Sequence, residues 1–312
     1  MNTYNFDTVI LGGGPAGLSA GLYAARGAVS TAIIDISMLG GQPSNYLELE
    51  NYPGFDKIGG YELMEKFENH ADKFNVQKFP AQEILSVDLK SKKIITTETE
   101  FNAKTIIIAT GAKPMKLNVP GEIDFVGRGV SYCAVCDGAF YRDKVVAVVG
   151  GGNSAVEEAI YLTKFASKVY IIHRRDELRA DKIVQERAFK NPKIEFIWNS
   201  VVREIKGDDL VNSVVLENVK AGEKSILTID GIFPYIGIVP NVELFSGQLA
   251  QDAKGFIVTD DKMQTSVEGV FAIGDVRTTP LRQVITAAAD GAVAAVYAVK
   301  YIETSVNAPQ KV

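Results

Sequence analysis

Residues 6–17 read FDTVILGGGPAG and residues 144–155 read KVVAVVGGGNSA. In each stretch an apolar run of strand character, Phe6 to Leu11 or Lys144 to Val149, stops at a cluster of glycines. A helical stretch of small and apolar residues follows, Leu18 to Arg26 in the first and Val156 to Phe165 in the second. A second apolar run, Thr31 to Ile34 or Lys168 to Ile172, closes each copy. Each copy therefore reads as a βαβ unit of about 30 residues, the setting in which a glycine-rich turn holds a dinucleotide. Used twice, the pattern predicts an α/β chain with two Rossmann-like, three-layer dinucleotide-binding domains.

In the first copy, Gly12 permits the tight turn after the strand. Gly14 lets the backbone approach a pyrophosphate at the helix N-terminus, beside Pro15 and Ala16, and Gly17 permits close packing of helix on strand. Asp35 ends the second strand, where a carboxylate accepts hydrogen bonds from a ribose. The second copy has the same turn, Gly152-Asn153-Ser154-Ala155, but a different strand end. His173-Arg174-Arg175 stands in place of the acid, and Arg179 follows one turn later. Guanidinium groups grip a 2′-phosphate by charge-assisted, bidentate hydrogen bonds, where a carboxylate would repel it. The second nucleotide is therefore expected to be NADP(H).

Only two cysteines occur in the 312 residues, as Cys133-Ala134-Val135-Cys136, and Asp137 follows directly. A C-x-x-C pair closes a small loop whose disulfide is readily reduced and re-formed. A structural zinc site needs about four ligands, and the chain adds only His70 and His173, so no metal site is expected. A redox pair and two inert thiols remain, and Asp137 favours the first as a proton donor beside a thiolate. Two nucleotide sites and a dithiol imply an electron path. Hydride transfer to sulfur is poor chemistry, whereas a flavin accepts hydride and exchanges electrons with thiols. The first copy is then the FAD site and the second the NADPH site.

The remaining sequence bounds the setting. Apolar residues make up 46% and charged residues 23%, as in ordinary globular proteins. The net charge of −5 argues against nucleic acid as a partner. Met1 to Phe6 lacks the features of a secretory signal, and the apolar segment Val284 to Tyr301 is broken by Asp290, Gly291 and Lys300. A cytoplasmic protein without a membrane span is expected. Helix is expected over Tyr61 to Lys73 and from about Arg282, and strand over Thr105 to Ala109. The stretches Ile84 to Thr99 and Ile194 to Ile229 read as β-rich. Pro114 to Pro120 and Pro240 to Phe245 read as crossings between domains. His70 reads as a surface histidine, and Trp198 as a core residue.

Taken in order, these motifs resemble a known family, the low-molecular-weight bacterial thioredoxin reductases, over essentially the full length. The resemblance is carried by Gly12 to Gly17, Gly40-Gly41-Gln42, Glu50-Asn51-Tyr52-Pro53-Gly54 and Ala109-Thr110-Gly111. It continues through Cys133 to Asp137, Gly150 to Ala155, His173 to Arg175 with Arg179, and Gly274-Asp275 with Arg282-Gln283-Val284. It implies that Gly12 to Gly17, Asp35, Gly41, Gln42, Asn51, Ala109, Thr110, Gly111, Gly274, Asp275, Arg282, Gln283 and Val284 hold FAD. It implies an NADPH-binding domain, 116–245, inserted within an FAD-binding domain made of 1–115 and 246–312. It also implies that Cys136 faces the flavin, that Cys133 attacks the disulfide of thioredoxin, and that Asp137 moves the proton. Family members are homodimers whose domains rotate between half-reactions. Two departures stand out: Asn153 where many relatives carry Asp, and Pro43 to Leu49 where relatives are often threonine-rich.

Overall fold

The computed structural model describes residues 2–46 and 48–307, with side chains through 304. Leu47 of the departing segment, Met1 and 308–312 lie outside the described residues. The chain divides into two compact units, residues 1–113 with 239–312, and residues 114–238.

The first unit opens with β1 (Asn2–Leu11), α1 (Pro15–Arg26) and β2 (Thr31–Ile34). Val9, Ile10 and Leu11 are fully buried, as expected for a parallel strand covered on both faces. Helix α2 (Gly60–Asp72) and strand β3 (Gln77–Phe79) come next. Strands β4 (Ile84–Asp88), β5 (Lys93–Thr96), β6 (Thr99–Ile108) and the short β7 (Ala112–Pro114) complete the first half. The β-rich stretch 84–99 is thus an antiparallel hairpin that runs into β6, and β6 starts earlier than the expected strand at Thr105. The sheet runs β3-β2-β1-β6-β5-β4.

The second unit begins with the short helix α3 (Ala134–Asp137) and a 3-10 turn, Gly138–Tyr141. Its βαβ unit is β8 (Val145–Val149), α4 (Asn153–Leu162) and β9 (Lys168–Ile172). Helix α5 (Lys182–Phe189) and β10 (Ile194–Ile197) follow. Strands β11 (Ser200–Gly207), β12 (Val211–Asn218) and β13 (Lys224–Thr228) form a separate antiparallel sheet. Strand β14 (Gly231–Pro234) then joins the parallel sheet β10-β9-β8-β14. The chain returns through β15 (Ile238–Pro240), which pairs with β7. The second crossing falls between Ile238 and Val239, just ahead of the expected stretch Pro240 to Phe245.

Back in the first unit, β16 (Val270–Ala272) pairs with the C-terminal part of β6, and α6 (Val284–Asn307) ends the described chain. By length and composition α6 could cross a membrane, with a mean hydropathy of 1.3 over Val284–Thr304. Its small residues Ala287, Ala294, Ala295 and Ala298 are instead buried in one cluster with Ala16, Ala20 and Ala24 of α1. At Gly291 an added Cβ would lie 2.2 Å from the Ala16 carbonyl oxygen, so the two helices pack backbone to backbone.

Candidate active site

In the first unit the expected FAD residues converge. Gly12 has a φ of +110°, and a Cβ there would lie 2.3 Å from the Ala109 carbonyl oxygen, which only glycine tolerates. Asp35 does not hang free at the strand end. One of its carboxylate oxygens accepts from the Gly13 amide at 2.6 Å, and the other accepts from the Ser37 amide at 2.8 Å. The Gly40 amide donates to the Gly13 carbonyl, which brings Gly41 against Gly14. Gln42 donates its side-chain amide to the Ala112 carbonyl, and Asn51 donates to Gln283 at 2.9 Å. Thr110 and Asn241 exchange side-chain to backbone hydrogen bonds of 2.7 and 2.8 Å. The Gly274 amide donates to Asp290, and Gly274 also packs against Ala16. Burial raises the Asp275 carboxyl above its ordinary pKa, Arg282 opposes that rise, and Asp290 adds to it.

Three features of this cradle fit a flavin dinucleotide. Helix α1 starts at Gly14 with no side-chain cap, so its first amides are left for an anion such as a pyrophosphate. The guanidinium of Arg282 lies 4.2 Å over the Phe256 ring, while its Nε is buried without a partner. Both residues line a cavity of about 380 Å³ with Thr278 and Thr279.

In the second unit the phosphate turn repeats the pattern. Helix α4 also starts without a side-chain cap. Asn153 donates to Asp181 at 2.8 Å and accepts from the Asp181 amide at 2.7 Å. An aspartate at 153 would place two carboxylates against each other, so the departure from many relatives matches its partner. The Arg179 and Ala180 amides both donate to the Gly151 carbonyl, which closes the loop after β9 onto the turn. Arg174, Arg175 and Arg179 are exposed, and none has an ion-pair partner among the described residues. Their charges are thus available to a 2′-phosphate. His173 differs from them. It is buried, and its ring lies where a Gly151 Cβ would be, within 2.5–2.7 Å. Burial first, and then the charges of Arg179, Arg175 and Arg174, push its pKa down, so it is a neutral spacer beneath the turn. Trp198 stacks on Phe196 with a 5.0 Å separation and meets His173 edge-on.

Cys133 and Cys136 form a disulfide, with Cα atoms 5.3 Å apart. Cys133 caps α3, its sulfur accepting from the Cys136 amide at 3.1 Å. Ser131 brackets Cys133, accepting from its amide at 3.1 Å and donating to its carbonyl at 3.2 Å. The Ala134 amide donates to the Tyr235 hydroxyl at 3.0 Å. Just before the pair, Tyr132 donates to Glu122 at 2.7 Å, and this buried carboxylate also accepts from the Leu117 and Asn118 amides. Burial and that carboxylate both raise the Tyr132 phenol. Cys136 is exposed and Cys133 half-buried. Asp137 lines a cavity of about 250 Å³ with Arg128, Phe140, Tyr141, Lys144 and Asp230. Burial, then Asp137 and Asp230, raise the Tyr141 phenol to about 12. Among the described residues no cluster of His, Cys, Asp or Glu could hold a metal ion.

The glycine turns, the arginine trio and the cysteine pair all carry sequence signals. Tyr235, Glu122 and Phe256 carry none; Tyr235 reaches Ala134 across 101 residues, whereas Glu122 stands only ten residues before Tyr132 but in no recognisable motif.

Residues 6–291 match the family described as pyridine nucleotide-disulphide oxidoreductase. The thioredoxin reductase of Peptoclostridium acidaminophilum is 50% identical over 309 residues, covering 96% of this chain and 98% of its own. That of Bacillus subtilis (strain 168) is 47% identical over 300 residues, covering 96% and 95%. The crystal structure of Lactococcus lactis thioredoxin reductase (FR conformation) superposes with a TM-score of 0.93 at 49% identity, covering 96% of this chain and 99% of its own. The chain belongs to the pyridine nucleotide-disulphide oxidoreductase family. As a member it is a flavoprotein disulfide oxidoreductase, and Cys133–Cys136 is its redox disulfide. The family implies a flavin and a pyridine nucleotide, and the two uncapped glycine turns suit one each.

Proposed function

We propose that this chain is an NADPH-dependent thioredoxin reductase that acts in the cytoplasm as a homodimer. The observation that carries the reading is a disulfide-bonded C-x-x-C with an adjacent acid, set in the same unit as a phosphate turn flanked by three unpaired arginines. The relatives named thioredoxin reductase support the acceptor. FAD, held by Gly12 to Gly17, Asp35 and the Asp275–Arg282 segment, supplies two-electron chemistry between nicotinamide and disulfide. Arg174, Arg175 and Arg179 hold the 2′-phosphate. Cys133 attacks the thioredoxin disulfide, Cys136 faces the flavin, and Asp137 exchanges the proton with the dithiol. Anaerobic NADPH is expected to reduce the bound flavin, and oxidised thioredoxin to restore it. A flavin that NADPH does not reduce would sink the reading.

Two predictions follow from the site. In Arg175→Ala the KM for NADPH is expected to rise roughly tenfold or more, with NADH turnover unchanged, because only the 2′-phosphate loses a partner. Equal effects on the two nucleotides would remove the phosphate role. The second prediction concerns docking. Phe140, three residues past the disulfide helix, is 79% exposed beside the Asp137 cavity. An exposed aromatic next to the reacting sulfurs suits a hot spot for a protein substrate. Phe140→Ala is expected to raise the KM for thioredoxin roughly tenfold and to leave reduction of a small aromatic disulfide unchanged. Steady-state kinetics with both acceptors separate docking from chemistry.

A further inference from the structure

Glu158 is a carboxyl with no evident reason to be buried. It is 5% exposed, and its Oε2 has no hydrogen-bond partner. No ion pair joins it to any described residue. Its neighbour Glu157, by contrast, is exposed.

Helix geometry sets Glu158 on the face of α4 whose next turn packs against the end of α3, the helix that carries the redox pair. Residues three and four positions on, Tyr161 and Leu162, share its face of α4, and Phe165 lies in the turn that follows the helix. Those three side chains are the ones a Cβ on Gly138 would meet, at 3.4, 3.3 and 3.4 Å. Gly138 caps the C-terminal end of α3. The other end of α3 is tied down by the Ala134 amide bonding the Tyr235 hydroxyl. The Tyr235 carbonyl and the Ala155 side chain both lie at the point where a Gly150 Cβ would stand. Ala155 is three residues before Glu158, again on the same face. The redox helix is therefore anchored on either side of Glu158, along the stripe that Glu158 occupies. Thr163, the C-cap of α4, accepts from the Asn191 side-chain amide.

We propose that Glu158 is a positioning residue for the redox dithiol, acting from beneath α3: as the neutral acid it leaves the Cys133/Cys136 thiolate undisturbed, and when ionised it is a buried negative charge that suppresses that thiolate. The assignment rests on the disulfide reductase reading above. The titratable groups of the surrounding elements are Glu157 and Tyr161 on α4, Asp137 and Tyr141 from α3 and its 3-10 turn, and Tyr235. Lys168 and Tyr170 come from β9, and Lys168 is already paired with Glu195. Strand β8 carries none, and α5 brings Lys182, Glu186 and Arg187. Burial first, then the charge of Glu157, raises the Glu158 carboxyl to about 7, so its charge changes near neutral pH. No bond or electron is exchanged with Glu158, and its influence is electrostatic.

The test is thiolate reactivity in the holoenzyme, reduced with excess trialkylphosphine and alkylated with iodoacetamide from about pH 5 to 9. Glu158→Gln and Glu158→Leu remove the charge, one by a polar and one by an apolar side chain. Both are expected to match the wild type at about pH 5, where Glu158 is protonated. At about pH 8 both should react roughly threefold faster or more, because the wild type then carries the opposing charge. A wild-type curve that coincides with that of either folded variant at every pH overturns the proposal. Neither nucleotide nor thioredoxin enters the measurement, so failure here is separable from failure of the reductase reading.

Discussion

Replacing either cysteine by serine is expected to abolish thioredoxin reduction, by about a thousandfold or more, while the flavin is still reduced by NADPH. A serine hydroxyl is not ionised at neutral pH and neither forms nor resolves a disulfide. Everything upstream of the sulfurs is built from other residues: the turns at Gly12 and Gly152, and the exposed arginines. The two variants also separate the roles of the sulfurs. The resemblance gives Cys133 the attack on thioredoxin, yet Cys136 is the exposed member of the pair here. A thiolate that attacks the acceptor disulfide expels one acceptor thiol and stays joined to the other sulfur. Without its neighbour it cannot resolve that adduct. If Cys133 attacks, Cys136→Ser accumulates the mixed disulfide and Cys133→Ser does not. The reverse pattern, read by intact mass under non-reducing conditions, would exchange the two roles.

Much of this architecture was legible because its chemistry is local. The turn at Gly12 needs a residue that tolerates positive φ, and the helix after it needs small residues, so the βαβ unit is written into about 30 consecutive residues. Arg174, Arg175 and Arg179 are equally readable, because the end of a strand is where a ribose or its phosphate lies. What stayed hidden depends on long-range contact. Tyr235 meets Ala134 across a sequence separation of 101, and Asn241 meets Thr110 across 131. The separate sheet of β11 to β13 had the composition of strands but no local cue to its independence. The pair Glu157-Glu158 shows the limit most clearly. Adjacent glutamates on a helix look alike in composition, and the packing of α4 decides which one is buried. His173 shows the converse, since its position beside the arginines suggests a ligand and its burial against Gly151 makes it a support.

Gly17→Ala is expected to yield protein without flavin and with folding stability lower by about 3 kcal/mol or more. A Cβ on Gly17 would lie 1.9 Å from the Gly12 carbonyl oxygen and 3.0 Å from its carbon. Both are backbone atoms, so no side chain can swing aside. Gly12 has little room to retreat either, because the point where its Cβ would stand is only 2.3 Å from the Ala109 carbonyl oxygen. The helix must move off β1, and α6 holds it on the other side through the contact of Gly291 with Ala16. The first amides of α1 then lose their aim, which is what a pyrophosphate requires. Gly14→Ala is the matched control. The nearest atom to a Cβ there is the Gly41 Cα at 3.8 Å, so the fold has room for the methyl group. The methyl would occupy the approach to the turn instead, and this variant should unfold like the wild type while retaining less flavin. Flavin absorbance per protein and denaturant unfolding distinguish the two. Full flavin content and an unchanged unfolding midpoint in Gly17→Ala would refute the packing role assigned to Gly17.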